Sequence, residues 1–503
     1  MQEDGGPSQP GRGRHVVRGL GSLTVQSILN AVLGFVLLAS LVRFLPQNNY
    51  GTYSSVQVSV TIAGVFSTFG FGSSVVYFLA SKSEEPNAGW GAAKAALYLT
   101  VGLSAVVSLF MVVAAPYLSA YFGKGPSLAW AFYLGALWLF TSSVATPFQA
   151  MLQGMRKYSS LAKVLLTARF VAVAIAVVGV VVFQSLAVAV VSWVAYFGLI
   201  ILSVAPVVWK PLRSANPRHY YSPVMRYASL LGLAGVVSTV AGNADIVVVG
   251  GYLSLGPLGV YNAAVQISSV LSAFFVGPLI IALFAEASLS SESEEEVRLG
   301  TGLALRFSLV TLLPASLLAA AMAPQLFGLF SGSGAYAQGI PYLQLITLFY
   351  VFSAIQVIAI SILQGVGRTR EVLVVGAITA LGEVALSILL VPGYGLAGAT
   401  YSRVSMFVLG CALSLYFIRR YLPRPVGYGF LGRIVLAALV PSIPVYVLSA
   451  VVSDRVLTLV PYTLLGVALF VLGARALRLL SAEDKTYLSH LLPEGLQWLV
   501  RLI

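Results

Sequence analysis

The sequence predicts an all-α polytopic membrane protein with about 14 transmembrane helices, arranged as two six-helix lobes related by pseudo-two-fold symmetry plus two C-terminal helices. Three observations predict this. Of 503 residues, 58% are hydrophobic and only 9% charged, whereas a soluble domain carries about 25% charged residues. The apolar residues come in uninterrupted runs of about 20, the length that crosses a hydrocarbon layer of roughly 30 Å. Segments of the first half recur in order in the second half.

The elements follow in chain order. Residues 1–15 are rich in Gly, Pro and charge and read as a disordered cytoplasmic tail. Apolar runs follow at about 16–42, 52–80, 89–115, 127–150, 161–183, 186–209, 223–250, 257–285, 300–322, 340–364, 371–391, 396–418, 430–452 and 456–480. Backbone groups in lipid have no water to pair with, so each run must be a helix. The first is too long for a signal core and lacks a small-x-small exit, so it reads as a retained helix. The tightest turn is Gln184–Ser185, between the fifth and sixth runs. The stretch SESEEEV, with Glu292 and Glu294–Glu296, reads as a solvated, Ser-capped helix start. The longest outer loop, near 323–339, has no charge. After Ser481, acidic residues open a Leu- and Trp-bearing segment that suits a helix lying on the membrane surface. The chain thus divides into the tail 1–15, an N-lobe 16–220, a C-lobe 221–420, two further spans in 421–480 and a cytoplasmic amphipathic tail 481–503.

Charge sets the orientation. Of the 29 Lys and Arg, 24 fall on one side of this frame and three (Arg43, Lys124 and Arg455) on the other, while Arg169 and Arg403 lie inside spans. The positive-inside rule then puts both termini in the cytoplasm. The net charge of +13 needs no nucleic-acid partner. A lone cysteine, Cys411, and three histidines outside the apolar runs exclude a disulfide framework and a cysteine metal cluster; the sequence calls for no metal and no cofactor.

The repeat points to function. YGTYSSVQVSVT (50–61) is echoed by LGVYNAAVQISS (258–269), LQGMRK (152–157) by LQGVGR (363–368), and SLAVAVVSWV (185–194) by GLAGATYSRV (395–404). A repeat of six spans keeps equivalent helices parallel, with the symmetry axis along the membrane normal. Two such bundles facing across a cleft are the architecture of alternating access, with substrate bound between them near interrupted helices. Thr-Phe-Gly-Phe-Gly at 68–72 and Gly277-Pro278 interrupt the matching second and eighth spans. Gly70, Gly72, Gly277 and Pro278 are therefore candidate hinges, with close helix packing on small residues as the alternative.

Ionisable groups inside spans cost roughly 2.5–3.5 kcal/mol each on insertion scales and face a cavity or a partner. Arg169, Arg403 and Arg43 are candidates to hold an anionic headgroup in a central cavity, because guanidinium matches phosphate and stays charged when desolvated. Asp245 and Glu383 are candidates for ion coupling, by H+ or Na+, or for ion pairs such as Glu383 with Arg403. Arg43 has the alternative of snorkelling to the outer interface, and Asp245 of capping there. Short outer loops and the absence of nucleotide-binding and hydrolase motifs argue against an enzyme, including a glycan ligase.

The segments LVRFLPQNNYGTYSS, STFGFGSSVVYFLA, FQAMLQGMRKYSS, NADIVVVGGYLSLGPLGVYNAAVQ, ILQGVGRTR and VPGYGLAGAT resemble the polysaccharide-export, O-antigen flippase-like family of the multidrug/oligosaccharidyl-lipid/polysaccharide (MOP) transporter superfamily. The resemblance implies two six-helix lobes in a V shape, like those of multidrug exporters in the superfamily. It also implies translocation of a polyprenyl- or dolichyl-phosphate-linked oligosaccharide across the cytoplasmic membrane, with membrane lipid as the surroundings and a monomer as the working unit. Lipid II flippases look more Arg-rich in the eighth span, which has no Arg here. Drug-exporting relatives often carry a carboxylate in the first span; none lies between Arg18 and Arg43. An ion-coupled exporter of organic cations is the alternative, with Asp245 in the carboxylate's role.

Overall fold

A computed structural model describes residues 26, 29–81, 86–123, 125–270, 294–332, 334, 336–365, 368–419, 427–451 and 457–479. Gly277, Pro278, Glu292 and both tails, 1–15 and 481–503, lie outside the described residues. Among those described there is no strand. In chain order the helices are α1 (Leu29–Phe44), α2 (Gln47–Thr68), α3 (Phe71–Ser81), α4 (Pro86–Gly123), α5 (Ala129–Gly154), α6 (Tyr158–Phe183), α7 (Leu186–Ser214), α8 (Tyr221–Ala241), α9 (Ala244–Tyr252), α10 (255–270), α11 (Glu294–Ala321), α12 (Ala323–Ser331), α13 (Ile340–Gly365), α14 (Thr369–Arg419), α15 (Tyr428–Val451) and α16 (Leu459–Ala476).

Among the described residues nine helices are long and apolar enough to cross a membrane, or up to eleven if two bent pairs each count as one span. The chain is a multi-pass membrane protein. Hydroxyl groups survive in these apolar helices because they bond the carbonyl one turn back, as Ser40 does to Val36 and Thr100 to Ala96 at 2.8 Å. Prolines sit inside α4, α5, α7, α11, α14 and α15, as membrane helices tolerate where neighbours cover the freed backbone groups.

Breaks in the helices give the fold its detail. The second apolar run bends by 42° between α2 and α3, where Phe69 and Gly70 have φ of 35° and 77°. The seventh run is not one helix: it breaks between α8 and α9, with Asn243 at φ −130°. The ninth run turns by 68° into α12, so the stretch read as the longest outer loop begins as a helix. Its apolar residues explain the difference: Phe327 and Phe330 are buried, and Phe330 packs against Phe35 of α1 at 4.7 Å. The Gln325 Oε1 accepts the hydroxyl of Ser449 on α15 at 2.9 Å.

Continuous as it looks, α14 is a hairpin. Gly395 has φ 57° and ψ −133°, a combination open essentially to glycine alone, and it folds residues 396–419 back on 369–394. The arms meet through Ser387 and Ser402 at 2.9 Å, and through Gly398, whose added Cβ would stand 2.3 Å from the Leu390 carbonyl. The corresponding turn of the first lobe is the expected one: Gln184 takes φ 47°, and Gly179 lets Val188 approach to 2.1 Å of where a Cβ would be.

The lobes share one hydrophobic core, in which Tyr50, Tyr53 and Val56 of α2 lie with Val260, Tyr261 and Ala264 of α10. Further contacts run along α8. Gly70 faces the Ala228 carbonyl and Gly232, and Tyr77 of α3 stacks on Tyr227 of α8 at 4.5 Å.

Candidate functional site: two polar clusters and the seam between the lobes

The C-lobe cluster is built from three elements. The break before α9 turns Asp245 inward, where it is fully buried. Arg403, on the second arm of α14, donates to it from Nε at 2.6 Å and from Nη2 at 2.7 Å, a bidentate charge-assisted pair. Asp245 also accepts the Ile246 N–H at 2.8 Å and the hydroxyl of Tyr261 on α10. Arg403 Nη2 further reaches the Gly242 carbonyl at 3.1 Å, one of the groups freed by the helix break. Glu383, on the first arm of α14, is also buried, but its Oε1 stands 3.9 Å from Arg403 Nη2 and has no hydrogen-bond partner. Arg403 therefore pairs chiefly with Asp245, and Glu383 stands next to a pair already satisfied.

The N-lobe cluster is aromatic. Arg169 of α6 lies over the Trp193 ring of α7, 4.5 Å from its centroid, with Tyr196 at 5.8 Å. Its Nε is buried and has no hydrogen-bond partner, and among the described residues no carboxylate lies within ion-pair distance of it. Trp193 is itself fixed: Trp138 of α5 stacks on it at 5.2 Å, and its Nε1 donates to the Tyr53 hydroxyl of α2 at 2.8 Å. A cation held over an indole gains about 0.5–2 kcal/mol, depending on its exposure, without losing its charge, so Arg169 remains a hydrogen-bond donor.

The clusters occupy equivalent places. In the third sequence echo Trp193 falls on Arg403, and in the first Tyr53 falls on Tyr261. One lobe thus satisfies its α2 tyrosine with an indole, the other its α10 tyrosine with an ion pair.

Between the clusters, α2 and α10 meet around the repeat axis. Asn262 Nδ2 donates to Ser54 Oγ at 2.8 Å across a separation of 208 residues, and Gln266 reaches Gln57 at 3.4 Å. The glycines of the echo make this approach possible. A Cβ on Gly51 would stand 1.9 Å from the Leu255 carbonyl, and one on Gly259 would stand 2.6 Å from the Gln47 carbonyl. Because Gln47 and Leu255 are themselves repeat partners, the contact is reciprocal, as a two-fold axis requires.

Other predicted positions are spread out. Arg43 is exposed at the end of α1, against the backbone of Gly332 after α12, and is not brought together with Arg169 or Arg403 by any contact. Gly70 sits at the α2–α3 bend in lobe-to-lobe contact, and Gly72 packs on Thr146 of α5. Tyr53, Trp138, Trp193, Tyr196 and Tyr261 carry much of the geometry, yet none of them is a predicted site residue. For Tyr53 and Tyr261 the signal was present: both stand in the first echo.

Residues 40–334, more than half of the chain, match the family model described as polysaccharide biosynthesis protein. The chain belongs to the polysaccharide biosynthesis protein family. No curated protein matches it. Among solved structures, the lipid II flippase MurJ in an inward closed conformation superposes with a TM-score of 0.74 at 13% identity, over 90% of this chain and 98% of that one. An inward-facing multidrug resistance MATE transporter of the MOP superfamily gives 0.64 at 14%, over 78% and 98%. A MOP superfamily transporter from Pyrococcus furiosus, described as having a binding pocket of reverse polarity, gives 0.56 at 15%, over 80% and 93%. This polysaccharide biosynthesis family member therefore has the MOP transporter fold. Its two predicted intramembrane arginines differ: Arg403 is paired with Asp245, while no carboxylate among the described residues pairs with Arg169.

Proposed function

We propose that the protein is a flippase that carries a polyprenyl- or dolichyl-phosphate-linked oligosaccharide across the cytoplasmic membrane by alternating access between its lobes. The observation that carries this reading is Arg169, a half-buried guanidinium whose buried Nε has no hydrogen-bond partner and which has no carboxylate beside it among the described residues. A charge left uncompensated at that depth is costly unless an anionic ligand meets it during the cycle, and a phosphate linkage fits the guanidinium fork. Membership in the polysaccharide biosynthesis family supports a glycan on that phosphate. The work is binding and reorientation, with no covalent step, by a monomer whose termini face the cytoplasm. For an exporter of organic cations the carboxylate in question is Asp245, and Asp245 already holds Arg403, which favours the anionic cargo.

Proteoliposomes offered a lipid-phosphate glycan and a cationic dye as competing substrates test the proposal. Glycan flipping that the dye leaves unchanged, and that Arg169→Ala abolishes at normal protein levels, is the expected result. Dye transport without glycan flipping would overturn it.

A further inference from the structure

We propose that Glu383 is a proton-binding site, and that proton release from it transfers Arg403 from Asp245 to Glu383. The inference deepens the flippase reading by naming the coupling ion, and it rests on that reading only for its link to transport.

The charge balance of the cluster carries the argument. Asp245 and Arg403 form a closed neutral pair, both carboxylate oxygens being met by donors. Glu383 is 6% exposed, and its Oε1 has no donor within reach. At 3.9 Å, Arg403 Nη2 is too far for a hydrogen bond. An ionised carboxylate left this way would be a second negative charge, buried beside a pair already balanced, and such groups neutralise instead. In this arrangement Glu383 is therefore the acid. Among the described residues no other charge stabilises its anion: α13, which packs on α14, has no Asp, Glu, Lys, Arg or His; on α8 the only charge, Arg226, is about 24 Å from the Gly242 end; and the titratable groups of α9 and α10 are Asp245, Tyr261 and Tyr252, the last exposed at the end of α9. On α14 itself, Arg370, Glu371 and Arg419 stand at the far ends of the two arms.

The exchange balances simply. The Glu383 O–H bond breaks, the proton goes to water, and the new carboxylate takes the Nη2–H hydrogen bond that Asp245 Oδ1 gives up. Asp245 keeps the Ile246 N–H and the Tyr261 hydroxyl. Nothing is oxidised or reduced. A metal cation is a poor fit, since it needs several oxygen ligands at once, the guanidinium fills the space between the carboxylates, and no group of three His, Cys, Asp or Glu converges among the described residues. The exchange moves α14 against α9 and α10, and α10 is the element that holds Ser54 through Asn262. Protonation is thereby wired to the seam between the lobes.

Infrared difference spectroscopy of the purified protein across pH tests the site without any substrate. The carbonyl stretch of a protonated carboxylic acid is expected in the wild type at neutral pH, to disappear on alkaline titration, and to be lost in Glu383→Gln. Its absence from the wild type, or its persistence in Glu383→Gln, would overturn the proposal. In proteoliposomes, wild-type flipping should change by up to about tenfold per pH unit on its limiting limb, while Glu383→Gln flips at one rate across that range. A variant that keeps the wild-type pH profile would also overturn it. Flipping of no lipid-linked glycan, with the infrared band present and Glu383-dependent, would instead count against the flippase reading alone.

Discussion

Arg403 and Asp245 stabilise the C-lobe only as a pair. Asp245→Asn leaves a buried guanidinium without its counter-charge, an error that costs about 3–5 kcal/mol. The variant should unfold at clearly lower temperature in detergent, and the double variant Asp245→Leu/Arg403→Leu should lose much less than the sum of the two single changes. Additive losses in that cycle would show that the two side chains do not interact. At Arg169, Lys keeps the charge but not the planar fork or its seat on Trp193. Arg169→Lys should therefore fold as well as wild type yet flip at least about tenfold more slowly, as the loss of one charge-assisted hydrogen bond at roughly 1.5–3 kcal/mol requires. All four intramembrane charges were visible in the sequence, because an ionisable group stands out in an apolar run. The Glu383–Arg403 neighbourhood was legible too, and the structure has it at 3.9 Å, but the closer Asp245–Arg403 pair was not. Asp245 meets Arg403 only because the seventh run breaks at Gly242 and Asn243, and a polar pair of that kind inside a span has no fixed meaning in one dimension. Aromatic stacking is likewise silent in sequence: Trp193 stands in the third echo, but nothing there reveals its stacking on Trp138.

The α14 hairpin owes its shape to Gly395. Gly395→Ala forces a side chain into backbone space it rarely enters and should cost about 1–3 kcal/mol, read as a drop in melting temperature. Gly393→Ala, two residues away with nothing within 4 Å of its Cβ, should be no less stable than wild type. Along the α2–α10 seam, Ser54 and Asn262 approach to 2.8 Å. Ser54→Cys/Asn262→Cys should therefore cross-link under mild oxidant, visible as two halves held together after cleavage of the 215–220 linker. Failure to cross-link in any condition would mean that the helices do not meet as described. The repeat was readable at this level because its glycines, Gly51 and Gly259, are fixed by backbone contact and not by side-chain fit. The 68° turn into α12 was not readable, because an uncharged apolar stretch of nine residues is as compatible with a loop as with a short buried helix.

The frame of the whole molecule follows from composition, since long apolar runs leave the backbone a single solution in lipid. The orientation follows from charge counting and is open to test. Cys411 is buried, so added cysteines report alone. His219→Cys, exposed between α7 and α8, should react with a membrane-impermeant thiol reagent only from the cytoplasmic face, and Ser254→Cys, exposed between α9 and α10, only from outside. The reverse pattern would invert the topology. The seam also carries a record of ancestry. Two identical ancestors meeting across a two-fold axis would have set serine against serine or asparagine against asparagine, whereas here a short hydroxyl receives a longer amide. That match could arise only once the two copies were free to diverge, so fragments expressed separately from either side of the 215–220 linker should reassemble as unlike mates and not each with its own kind.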